Sequence, residues 1–233
     1  MRIAIESTIH EMEGRLNGFI ALLIYRYANL CVKAQPMALL SAEIIDEELG
    51  PMNIEKVAAV VVPDEYHIRL VPFSPRYNFP LCKAIKKEHP EFKQELVAFE
   101  NADDENQRYL VLTMPVVNKD RRDALLEAVD TLYDGCKAKM DKTCADYRLK
   151  LEKKIVVLPT DDERNEAKDA LEAKIKTYQD MADLNKTEKV KEIEEAYQRY
   201  LDEQTSKRNK ADEAAAARGE HAGRQMRVGA TEE

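Results

Sequence analysis

The side chains best suited to metal binding or nucleophilic chemistry are four cysteines and four histidines, and their spacing supports neither use. Cys31, Cys82, Cys136 and Cys144 form no C-x-x-C pair. Cys136 and Cys144 fall on one expected helix, about 12 Å apart at the helical rise and beyond disulfide reach. All four read as reduced structural thiols of a reducing compartment. His10, His67, His89 and His221 are scattered without metal-ligand spacing. The acidic pairs Asp103-Asp104 and Asp161-Asp162 read as loop and helix-cap residues. No Gly-rich phosphate loop, nucleophile elbow or His–carboxylate cluster occurs in the sequence. The expectation is a protein that is not an enzyme and that needs no cofactor and no metal. Phosphate binding by basic side chains is left, and the net charge of −8 warns against its simplest form. A protein that works by neutralising phosphates is normally basic.

Length and composition bound the architecture that must position such groups. The 233 residues make one large or two small domains. With 34% charged residues and only seven glycines, long solvated helices are favoured over a compact β protein. No apolar run is long enough to span a bilayer, since Arg15 and Arg26 bracket the apolar stretch Gly18–Ile24. Glu6, Glu11 and Glu13 are wrong for a signal or transit peptide, which is poor in acids. Either no import is needed or the numbering starts near a processing site.

The hydrophobic pattern divides the chain. Ile5, Ile9, Met12, Leu16, Phe19, Leu23 and Leu30 recur at a mostly 3-4 spacing, which predicts an amphipathic helix over Ile3–Leu30 that fails before Pro36. Ala42–Ile45, Val57–Val62, Ile68–Val71 and Tyr109–Met114 read as strands, punctuated by Gly50-Pro51, Pro63-Asp64, Pro72 to Pro75 and Pro115. Phe79–Glu88 reads as a short helix ended by His89-Pro90, and Glu100–Gln107 as an acidic loop. Residues 34–116 therefore form a small β-rich domain, barrel- or sandwich-like. A second helix is expected over Lys119–Lys154, capped by Asn118, with the seam Leu125, Val129, Leu132, Cys136, Met140, Tyr147 and Leu151. Gly135 in its middle costs about 1 kcal/mol against Ala. After Pro159, Thr160 and Glu163 make a capping box for a third helix over Asp161–Gln204. Its seam is Leu171, Ile175, Tyr178, Ala182, Val190, Ile193, Tyr197 and Tyr200 or Leu201. Residues 205–233 carry no seam and are expected to be a mobile tail. Three striped helices bury their faces on one another, so residues 1–33 and 117–204 form a discontinuous three-helix bundle. The fold class is α+β, and two chain crossings between the domains act as a hinge.

On these elements the chain resembles the ribosome recycling factor family. From Arg15 to Ile85 it lies on the family pattern without a gap. Glu48-Leu49-Gly50-Pro51-Met52-Asn53-Ile54-Glu55-Lys56-Val57-Ala58 resembles the family's Y-G-T-P-T-P-L-x-Q-L-A, and Val71-Pro72-Phe73 and Lys83-Ala84-Ile85 also match. Met114-Pro115 and Lys119-Asp120-Arg121-Arg122 are similar to the family's proline and T-E-E-R-R helix start. Asp183 and Lys189-Val190-Lys191-Glu192-Ile193 resemble its I-D and K-E-K-E-L elements. The likeness covers roughly residues 5–200, and its specificity lies in order and spacing.

The resemblance implies an L-shaped molecule whose bundle binds large-subunit rRNA at the ribosomal intersubunit face. A hinged smaller domain is pushed by an elongation factor G-type GTPase, and together they split the post-termination ribosome. The partners are then the large subunit, both rRNA and protein, and that GTPase, with no membrane and a monomeric factor. The family's R-T-G-R-A falls on Cys31-Val32-Lys33-Ala34-Gln35, and its R-N-x-R-R-D on Asp141-Lys142-Thr143-Cys144-Ala145-Asp146, so five arginines are replaced. Cys or Ala cannot recover an arginine fork on phosphate. The contact is then expected on Lys33, Lys137, Lys142 and Arg148, each of which, like Lys139, also reads as part of a solvated helix face, and on Arg121 and Arg122. Two explanations stand open. One is an organellar, mitochondrial factor on a ribosome whose surface is partly protein, with a bacterial cytoplasm as the alternative location. The other is a paralogue that keeps the fold as a ribosome-binding assembly, regulatory or structural protein and has lost recycling.

Overall fold

In the computed structural model the described residues are 2–46, 50–99 and 107–228, with side chains described between 5 and 215. Glu48 and Leu49 of the matched segment, all of the expected acidic loop but Gln107, and residues 229–233 lie outside them.

The bundle consists of α1 (Arg2–Ala28), α3 (Lys119–Ile155) and α4 (Asp161–Val228); α2 lies in the insert. α1 ends well before Pro36, on hydrogen bonds from the Leu30 N–H to Tyr27 O and the Cys31 N–H to Ala28 O, both 3.2 Å. Cys31 takes the left-handed conformation there, with φ 51. Asn118 caps α3 as expected, its Oδ1 accepting from the Arg121 N–H at 2.9 Å. Lys153 and Lys154 in the last turn favour the negative end of the helix dipole. The Thr160 hydroxyl caps α4, accepting the Glu163 N–H at 3.3 Å. Arg164 reaches back to the Leu158 carbonyl at 2.7 Å, which fastens the α3–α4 turn.

The three seams meet in one core. Met12, Leu16, Ile20 and Leu23 of α1 pack with Val129, Cys136, Met140 and Tyr147 of α3 and with Leu171, Ile175 and Ile193 of α4. Burying such a side chain contributes about 1.5–3 kcal/mol. The seams differ from expectation at a few positions. Ile20 and Tyr27 are buried in α1, whereas Ile9, Phe19 and Leu30 are only partly buried. In α3 the core position is Tyr133, and Leu132 lies beside it at the edge.

The larger difference is α4, which runs as helix to Val228 and does not stop at Gln204. Residues 203–215 are exposed throughout, so packing does not hold this extension. Its alanines and lysines are strong helix formers, and Glu203 pairs with Lys207 one turn on, at 3.9 Å.

The insert has its own core, built from Ile44, Ile68, Leu70, Leu81, Ile85 and Leu112 among others. Strands β1 (Glu43–Asp46) and β2 (Gly50–Asn53) make one antiparallel pair. Strands β3 (Ala58–Asp64), β4 (His67–Pro72), β5 (Lys93–Ala98) and β6 (Arg108–Thr113) form a four-stranded antiparallel sheet in the order β3-β4-β6-β5. Helix α2 (Asn78–Glu88) packs against β1 and β6. Gly50 opens β2 at φ 73, a conformation that a side chain would strain. Pro63 is tolerated because β3 is an edge strand. The sequence pattern reveals neither β2 nor β5. Strand β2 is short and proline-bearing, and β5 is a charged edge strand whose side chains are mostly exposed.

Both crossings run past the β3–β4 turn. The Ala34 N–H bonds Glu65 O and the Met114 N–H bonds Tyr66 O, each at 2.8 Å. Arg199 of α4 reaches the same turn, with Nη1 2.8 Å from Glu65 Oε2 and its guanidinium over the Tyr66 ring. Two separate cores joined at this corner make the molecule L-shaped.

Candidate nucleic-acid interface

The long helices carry many charges, and several of them pair across the helix seams. Between the antiparallel α3 and α4, Arg122 grips Glu194 with two bonds of 2.8 and 2.5 Å. Lower down, Lys186 meets Asp130 at 2.7 Å, and Arg148 grips Glu172 at 2.5 and 2.7 Å. The Tyr133 hydroxyl donates to Asp183 across the same seam. Between α1 and α4, Lys174 pairs with Glu13 at 2.8 Å. The pairs perturb their members as charge-assisted bonds should. The Arg148 and Arg122 bonds hold the Glu172 and Glu194 carboxyls below the usual carboxylate range. Bonding to Asp183 and partial burial push the Tyr133 hydroxyl up to about 12.

This lacing decides the fate of the six basic residues singled out from the sequence. Arg122 is bound to Glu194 and Asp123 and lies 5.3 Å from the Tyr197 ring centre. Arg148 is bound to Glu172. Each fork is thus engaged inside the protein. Arg121 turns into the junction between bundle and insert and is half-buried. Burial lowers its pKa against the opposing influence of Glu91 and Cys31, and its Nε is buried without a hydrogen bond among the described residues. Lys33 is half-buried at the first crossing. Lys137 and Lys142 are exposed on α3, and neither has an ion pair among the described residues. Lys137 stands 5.6 Å from the Tyr133 ring centre, beside a cleft that Asp141, Glu172, Asp180 and Asp183 make acidic. The structure does not gather the six into one basic surface. Lys137 and Lys142 are the exposed, unpaired pair.

The positions at which the resemblance would put arginine also divide. Asp141 and Ala145 are exposed and Ala34 is half-buried. Cys31 and Cys144 are each 1% exposed, Cys31 in the insert core and Cys144 in the bundle core. Of the five replacements, these two exchange a charge for a core side chain, and only the other three alter the surface. The Cys31 thiol is pushed up to about 12 by burial and by the nearby Glu91, against Arg121 and Lys189. Cys31 lies beside His89 and Glu91, a cluster that spacing along the sequence does not signal.

No helix among the described residues is long and apolar enough to cross a membrane.

A protein-family model described as ribosome recycling factor matches residues 29–210. Among solved structures the chain is similar to a solution structure of the ribosome recycling factor, with 16% identity and a TM-score of 0.63 over 82% of this chain and 97% of that one. It is also similar to a chain in a structure described as models for the T. thermophilus ribosome recycling factor and the E. coli elongation factor G bound to the E. coli post-termination complex. There the identity is 19% and the TM-score 0.54, over 81% of this chain and 98% of that one. No curated protein matches the sequence.

Proposed function

This chain belongs to the ribosome recycling factor family, and from that membership we propose that it binds the intersubunit face of the ribosomal large subunit and helps to split post-termination ribosomes. The partner that drives the step is an elongation factor G-type GTPase. One observation carries the reading: the family match begins just after α1 and spans the insert, α3 and most of α4, over residues 29–210. One match therefore covers the insert and two of the three bundle helices, and α1 packs into the same bundle core; a factor pushed at one arm while bound through the other requires both parts. In this reading the protein acts as a monomer and performs no covalent chemistry, and GTP hydrolysis stays with its partner.

The internal pairing of Arg122 and Arg148 favours a contact that rests less on phosphate than in an rRNA-binding bundle. We place the protein on mitochondrial ribosomes, whose surface in this account is partly protein. There an acidic molecule of net charge −8 meets basic ribosomal proteins, and complementary charge speeds association. The same pairing supports a second reading, a paralogue that binds ribosomes without recycling them. Sedimentation with mitochondrial and with bacterial ribosomes over a salt series tests the proposal. Co-migration with the mitochondrial particles is expected. A protein that stays in the supernatant with both would contradict ribosome binding altogether. Rescue of bacteria that lack their own recycling factor would contradict the organellar assignment, since the absent arginines would then be dispensable on an rRNA-rich ribosome.

A further inference from the structure

At the first crossing between bundle and insert, three side chains of different chemistry converge. Cys31 follows the end of α1, and His89 and Glu91 occupy the turn between α2 and β5. The Cys31 Sγ lies 3.7 Å from His89 Nδ1, and His89 Nδ1 lies 3.1 Å from Glu91 Oε1. The three ligand atoms all fall within 4.8 Å of one another. Cys31 is 1% and His89 5% exposed, whereas the Glu91 side chain keeps 32% of its surface open.

The imidazole is held in one orientation and one tautomer. Its Nε2 lies 2.7 Å from the Ala38 carbonyl, which accepts a proton and never donates one. Nε2 therefore carries the hydrogen, and Nδ1 presents its lone pair to the thiol and the carboxylate. The ring also stacks on Phe92, at 4.6 Å between centroids and 6° between planes. A backbone carbonyl fixing the remote ring nitrogen is the outer-shell arrangement that metal-ligating histidines use. With Nδ1 unprotonated, it and the Glu91 carboxylate oxygen 3.1 Å away are both acceptors, an arrangement that a metal ion bound to both would relieve. Cys31 is further held in the left-handed backbone region at φ 51, a conformation that is costly for a side-chain-bearing residue and that clusters at functional sites.

We propose that Cys31, His89 and Glu91 form a binding site for one divalent metal ion of the zinc class, which staples the end of α1 to the insert at the hinge. Thiolate sulfur, imidazole nitrogen and carboxylate oxygen are the zinc donor set. For tetrahedral zinc with its usual bond lengths the S···N separation is about 3.5 Å and the N···O separation about 3.3 Å, close to the 3.7 and 3.1 Å found. On binding, the thiol loses its proton to solvent as the metal–sulfur bond forms, and no electrons are transferred. Water takes the fourth position on the open side, where Glu91 reaches solvent. With thiolate and carboxylate bound, the two negative charges neutralise the ion, so the nearby Arg121 guanidinium faces a neutral site. The inference is independent of the ribosomal reading.

Cobalt(II) is the probe, added to the purified full-length protein. One equivalent should give a thiolate-to-cobalt charge-transfer band together with the visible bands of four-coordinate cobalt, and zinc should displace both. Zinc should also raise the melting temperature. Cys31→Ser should abolish the charge-transfer band and the zinc-induced rise, while Cys82→Ser keeps both. Glu91→Gln, at a partly exposed position, should weaken cobalt affinity tenfold or more. Absence of the band from the parent protein, or its persistence in Cys31→Ser, would overturn the site. Unchanged affinity in Glu91→Gln would equally overturn the three-ligand set, whether or not Cys31→Ser folds.

Discussion

Leu132 and Tyr133 show how finely a helical seam can be read from residue types. Leucine is the more apolar of the two, so the sequence pattern favours it, but the register set by Val129, Cys136 and Met140 buries Tyr133. One residue along a helix is a rotation of about 100°, and an amphipathic tyrosine can occupy the core because its hydroxyl reaches Asp183. Leu16 is fully buried and Leu132 only partly. Leu16→Ala should therefore cost about 2–5 kcal/mol in urea unfolding, and Leu132→Ala less than about 2 kcal/mol. Equal costs would mean that the α3 register is wrong. Gly135 is exposed, and a Cβ built on it would meet nothing within 4 Å. Gly135→Ala should stabilise the protein by about 0.4–1 kcal/mol, because the change removes only unfolded-state freedom. A destabilised variant would show that the helix is irregular there.

Helices were the legible elements, because a stripe sustained over many turns survives a few misread residues. The ends of α1 and α3, the Asn118 cap and the Thr160 cap all follow from residue type. The end of α4 did not, because the sequence shows where packing stops, while helix propensity alone decides where an unpacked helix continues. We propose that this extension is marginal, since residues 203–215 bury no apolar face and most helical stability in proteins comes from such packing. Truncation after Gln204 should leave the melting temperature unchanged, and amides of residues 205–215 should exchange with solvent faster than those of 171–193. Slow exchange in the extension would contradict this. The charges between α3 and α4 give a pH dependence. Arg148 lowers the folded pKa of Glu172 below its ordinary 4.5. The unfolded chain then binds protons first on acidification. The pair's contribution is full above the unfolded value and is lost as pH falls through the folded one. Both side chains are about half exposed, so a double-mutant cycle with Arg148→Ala and Glu172→Ala should give only about 0.2–1 kcal/mol at neutral pH. That coupling should vanish below the folded pKa. A coupling that persists in acid would assign the effect to packing.

The separation of a helical core from a β-rich core was readable because each part has its own periodicity and prolines mark the borders. The candidate interface was not. Which cations remain free depends on pairings such as Arg122 with Glu194, 72 residues apart, which no local pattern encodes. The approach of Cys31 to His89 has the same origin, since the chain crossing brings them together. If Lys142 contacts phosphate, Lys142→Ala should lower the salt slope of ribosome association by about one unit. An unchanged slope would place the contact on protein. The central claim concerns the whole molecule and is tested most directly by splitting. Post-termination mitochondrial ribosomes would be mixed with this protein, an elongation factor G-type GTPase and GTP, and followed by light scattering. The account predicts a fall in scattering that requires both proteins and GTP. Scattering that stays flat while the protein co-sediments with the ribosomes would contradict recycling and leave a ribosome-binding paralogue.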